Sequence, residues 1–144
     1  MARVPLPTPA VQAAAEEKLT TLITALESHP SWKPVTGNEA ATPAHRTLFF
    51  MWDFASRSRY ILMELNTIAE GKEVAHPEQI PKQEGLTDPK QRAEACYADV
   101  LSRSAMVEKL VNTPAMMSMM GVTPVDFGDD VKKAAKEVNK SFKG

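Results

Sequence analysis

A chain of 144 residues with 43% hydrophobic and 24% charged side chains has the make-up of one globular domain, large enough to bury ~70% of its unfolded surface. Seventeen basic against eighteen acidic side chains leave a formal charge of −1, which excludes a global field that would gather nucleic acid or an anionic membrane. The single cysteine, Cys96, excludes an internal disulfide and any multi-cysteine metal site.

Residues 1–8 read as an extended Pro-rich arm, because Pro5 and Pro7 forbid a regular helix. Residues 9–144 read as a single helical domain punctuated by Thr-Pro or Asp-Pro pairs. In such a pair the Thr or Asp caps a helix, and the proline fits its first position. Thr8-Pro9 opens a first helix to about residue 28, with Val11, Ala15, Leu19, Leu22, Ile23 and Leu26 on one face. Residues 29–41, with two prolines, Gly37 and Asn38, form a loop pinned by Trp32.

Thr42-Pro43 opens a second helix, ending near Glu70 with Gly71 as a left-handed terminator and reaching ~40 Å in length. Its first half, Leu48 to Trp52 and Phe54, is apolar almost all round. That pattern predicts a central helix, or one that meets a partner. Residues 71–87 carry Pro77, Pro81 and Gly85 and read as a long loop, either a strap over the bundle or a partner-binding element.

Asp88-Pro89-Lys90-Gln91 resembles a capping box and starts a third helix to about Asn112. Thr113-Pro114 starts a short helix, 114–120, that carries Met116, Met117, Met119 and Met120 and closes at Gly121. Thr123-Pro124 opens only a turn. A last amphipathic helix, about 129–142, has acidic residues at its start and lysines at its end, which suits the helix dipole. The expected fold is all-α: three long helices, a short Met-rich helix and a C-terminal amphipathic helix.

The chain has no Gly-rich phosphate loop, G-x-S-x-G elbow, H-E-x-x-H or C-x-x-C. Glu73 and His76 have a metal-ligand spacing near Glu70, but flanking Gly71 and Pro77 place them in a loop, so no metal is expected. His29 and His76 each precede a proline and read as turn residues. Cys96 lies on an apolar helix face, as a small buried hydrophobe does. Asp53 and Arg57, four apart, read as a structural ion pair, with an anchor for a polar group as the alternative.

The expected function is a non-catalytic helical subunit or adaptor of a larger protein assembly, rather than an enzyme, with no cofactor. Docking is expected through the arm (Val4, Leu6), the 71–87 loop and the methionines at 116, 117, 119 and 120, together with Phe50 and Trp52. The methionines can equally fill core gaps. A second possibility is a small-molecule pocket beside the second helix, lined by His45, Trp52, Asp53 and Arg57. A third is weak nucleic-acid binding by Lys132, Lys133, Lys136, Lys140 and Lys143, where five lysines face one glutamate. No apolar run reaches the ~20 residues that span a bilayer, and Arg3 precedes no contiguous apolar stretch. The expectation is a soluble intracellular protein, cytoplasmic or in an organelle matrix, and not secreted.

Overall fold

The computed structural model describes residues 4–32 and 42–143. They form α1 (Pro9–Glu27), α2 (Pro43–Ala69), a 3-10 turn (Pro77–Gln79), α3 (Pro89–Asn112), α4 (Pro114–Met119) and α5 (Gly128–Ser141). No strand occurs among the described residues, and the class is all-α. Of the expected 29–41 loop, residues 33–41 lie outside the described residues, as do Met1–Arg3 of the arm and Gly144.

Three of the helix starts work as their sequence implies. The side chains of Thr8, Thr42 and Asp88 accept from the N–H groups of Val11, His45 and Gln91 at 3.2, 3.1 and 3.0 Å. The reciprocal half of a capping box, from the Gln91 side chain to Asp88, is absent among the described residues. Thr113 differs too: its backbone (φ −136°, ψ 80°) stands away from the capping geometry and its hydroxyl caps nothing.

Two helices end as Schellman motifs around a glycine. After α2 the Gly71 N–H donates to Ile68 and the Lys72 N–H to Thr67; after α4 the Gly121 N–H donates to Ser118 and the Val122 N–H to Met117. Both glycines are left-handed, at φ +75° and +74°. A Cβ on Gly71 would also stand 3.2 Å from Cγ of Pro89, whereas one on Gly121 meets nothing. Gly121→Ala is therefore expected to cost about 1 kcal/mol, from left-handed backbone alone, and Gly71→Ala about 2 kcal/mol. Paired urea melts check the ranking.

The helices run alternately up and down and close into a ring. α2 packs on α1 and α3, and α5 packs on α1 and α3, so α2 and α5 stand diagonally opposite without touching. This corrects the expectation of a central second helix. The amphipathic α5 is a full fourth member of the bundle, and α2, like each of the other three long helices, packs on two neighbours in the ring. The apolar surplus of α2 instead reaches the surface: Phe49 is exposed, while Phe50, Trp52 and Phe54 are half-buried.

One core runs through the ring. It takes Ala15, Leu19, Leu22 and Leu26 from α1, the α2 row from Leu48 to Ile68, and Val100, Val107 and Leu110 from α3. Val131, Ala134, Ala135 and Val138 complete it from α5. Each large aliphatic side chain so buried contributes about 1.5–3 kcal/mol.

Polar ties set the register between neighbours. The Gln12 amide donates to the Leu62 carbonyl, the Arg59 Nε to the Thr20 hydroxyl at 2.9 Å, and the Asn139 amide to the Ser104 carbonyl at 3.0 Å.

The arm and the 71–87 segment both lie on the bundle. Val4 and Leu6 are half-buried against the core, in a cleft walled by Tyr97 and Leu101 of α3 and Phe142 after α5. Val74 and Ile80 of the strap also pack on the core, and the His76 N–H donates to the Tyr60 hydroxyl at 2.7 Å. Among the described residues no helix is long and apolar enough to cross a membrane.

A candidate interaction surface at one end of the bundle

The alternating directions bring four helix ends together: the C-termini of α1 and α3 and the N-termini of α2 and α5. Connections lock this end. Ser31 N–H donates to His29 Nδ1 at 3.0 Å, so His29 Nε2 carries the proton and donates to the Asp126 carbonyl at 2.8 Å. The Thr47 hydroxyl lies 2.7 Å from the Thr123 carbonyl, tying the first turns of α2 to the segment between α4 and α5. His29 is thus a latch across 97 residues of sequence. The His-Pro turn signal at His29 gives its place and not this partner.

An aromatic cluster fills the α2 side of the same end. Trp32 lies 5.5 Å from His45 and 5.9 Å from Trp52, and Phe49 stacks on Trp52 at 5.5 Å, all between ring centroids. At these separations the rings pack on one another. His45 is buried, and neither of its ring nitrogens has a hydrogen-bond partner among the described residues; the same holds for Trp52 Nε1.

Asp53 and Arg57 occupy the next face of α2 and pair at 3.2 Å, with 36% and 38% of their side chains exposed. This is the expected ion pair, in a solvated setting where such pairs contribute about 0.3–0.5 kcal/mol. Among the described residues, His45 and Trp52 thus belong to the aromatic cluster and Asp53 and Arg57 to a solvated ion pair. Sequence reasoning passed over Asp99 and Arg103, although the same four-residue spacing marks them. They pair at 2.6 Å, and the Arg103 guanidinium lies over the Phe54 ring at 5.2 Å.

α4 packs on α3 at this end, and its methionines divide between two roles. Met117 is fully buried and Met116 half-buried, whereas Met119 is 86% and Met120 47% exposed. Phe49 is 44% exposed and Met63, further down α2, 47%. Three of the four exposed large apolar side chains among the described residues thus stand at one end. Phe50, by contrast, is half-buried and packs on Phe54 at 4.8 Å.

The lysines of α5 lie elsewhere. Lys133, Lys136, Lys140 and Lys143 are exposed and Lys132 half-buried. The groove between α1 and α5 that Lys133 borders also holds Lys18, Asp130 and Glu137, and Glu137 pairs with Lys140 at 3.6 Å. Charges of both signs line this surface, which gives a phosphate backbone no continuous basic track.

Glu73 and His76 are exposed on the strap, where His76 Nδ1 lies 3.3 Å from Glu78. Among the described residues no three His, Cys, Asp or Glu side chains are placed to hold a metal ion. Cys96 is buried as expected. Burial first, and Asp99 second, push its thiol from 9.0 up to about 11, with Arg92 opposing. A thiol raised in the folded state stabilises the fold below pH 9, and that stability is lost as pH rises from 9 through 11. Stability is therefore expected to fall over this window, less steeply in Cys96→Ala, as read from denaturant melts at each pH. No protein-family model, no curated protein and no solved structure matches this chain.

Proposed function

We propose that the chain is a non-catalytic helical subunit that docks on a partner protein through the end formed by α4 and the start of α2. The observation that carries this reading is the exposure of the adjacent Met119 and Met120 at the end of a helix of six residues whose Met117 is fully buried. A helix this short has no stability of its own. Met117 anchors it in the core, so it presents its outer methionines on a fixed base. Unbranched thioethers adapt to an apolar counter-surface, and clustered exposed apolar groups mark interaction sites. The arm and the strap, which the sequence also offers for docking, spend their apolar side chains on their own bundle, so the reading narrows to the methionine end.

The test compares the wild-type chain, the double variant Met119→Lys with Met120→Lys, and Met63→Lys, each used as bait in an extract of the native cells. All three are expected to melt alike. Wild type and Met63→Lys retain a stoichiometric protein partner, while the double variant retains about tenfold less or none. Equal retention by all three contradicts the proposal.

A further inference from the structure

The opposite end of the bundle holds a different feature. Between the strap and the end of α2 lies a cavity of about 280 Å³, floored by Ile68, Val74, Ile80 and Cys96. Three cationic side chains line it, Lys72 and Lys82 from the strap and Arg92 from the first turns of α3, and no carboxylate does. Glu70 reaches Lys72 at 3.1 Å, but no ion pair among the described residues involves Lys82 or Arg92. The Nε of Arg92 is buried and has no hydrogen-bond acceptor among the described residues.

These observations converge. Buried polar groups in folded proteins are nearly always hydrogen-bonded, and a guanidinium N–H held away from water without an acceptor is a costly exception. A guanidinium presents a planar fork of donors that matches the two oxygens of a carboxylate or phosphate. The two lysines add point charges at the mouth, and the apolar floor suits a hydrocarbon body rather than a bare ion. A space of this size equals about nine waters at ~30 Å³ each, which admits a headgroup and a short chain or ring.

We propose that the cavity under the strap is a binding site for a small amphiphilic oxyanion, its headgroup on Arg92 and its apolar part against Ile68, Val74 and Ile80. The strap then has a task beyond covering the core: it supplies two of the three cations and part of the floor. The site is at the other end of the molecule from the methionine surface, and it does not rest on the docking reading.

Isothermal titration of the full chain with hexanoate, phenyl phosphate and inorganic phosphate tests the proposal. Hexanoate or phenyl phosphate is expected to bind saturably, about tenfold tighter than inorganic phosphate because of the apolar floor. The comparison of the two organic probes separates a carboxylate from a phosphate ester. Bound ligand should also slow alkylation of Cys96, which places it in this cavity. Arg92→Gln should weaken binding about tenfold or more, and Lys82→Gln by less. If Arg92→Gln does not fold, Arg92→Lys takes its place, since it keeps the charge and loses the fork. Saturable binding by neither organic probe overturns the proposal. So does affinity unchanged in the folded Arg92 variant, or inorganic phosphate binding as tightly as the organic anions.

Discussion

Leu62→Ala is expected to lower the unfolding free energy by about 2–5 kcal/mol, the largest effect of any single truncation considered for this chain. Leu62 is fully buried on α2, between the helices that flank it in the ring, and its carbonyl accepts the Gln12 amide of α1. The cost has two parts, the lost transfer energy of the side chain and a cavity left behind. The cavity persists because the neighbouring helices are held: α1 and α2 by their Thr caps, α2 and α3 by the turn at Gly71 against Pro89. A fall in Tm of roughly 10 °C follows for a chain of this size. A urea melt with a lower midpoint and an unchanged slope checks it, since a changed slope would mean a different unfolded or folded state.

The second large effect separates methionines two residues apart. Met117→Ala is expected to cost about 2–4 kcal/mol, because Met117 is fully buried and is the one side chain by which α4 reaches deep into the core. Its carbonyl also accepts the Val122 N–H that closes the turn after α4. Met119→Ala is expected to change stability by less than about 0.5 kcal/mol, since the side chain is 86% exposed. The same pair of variants, measured by thermal and urea unfolding, shows whether the methionine segment is core, surface or both. A short helix pressed between surfaces on every side would lose stability at both positions.

Most of the helical framework was legible in the sequence because it is written in local chemistry. A capping side chain meets an amide three residues on, directly past its proline, and a closing glycine turns the chain back onto carbonyls within five residues. The boundaries of α1, α2 and α3 therefore follow from Thr8, Thr42, Asp88 and Gly71. The arrangement of the helices was not legible. The apolar surplus around Phe49 and Trp52 suggested a central helix, yet in the ring it lies at an end, half-covered by Trp32. Periodicity reports how many faces of a helix are apolar and not what covers them. Long-range polar ties were equally hidden: nothing near His29 names Asp126, nothing near Thr47 names Thr123, and nothing near Asn139 names Ser104. The division of the methionines between core and surface depends on where α4 is seated, and only the fold supplies that. Arg92 gave no sign in the sequence, because its significance lies in a buried nitrogen with no acceptor.

The central claim is that the α4 end of this bundle is a contact surface, and methionine oxidation measures it directly. In the isolated chain treated with hydrogen peroxide, Met119 and Met120 should oxidise first, Met63 at a comparable rate to Met120, and Met117 only as the protein unfolds. In the native assembly, recovered under mild conditions and treated in the same way, Met119 and Met120 should be protected about tenfold or more while Met63 keeps its rate. Met119 and Met120 oxidising as fast in the native assembly as in the isolated chain would contradict the account.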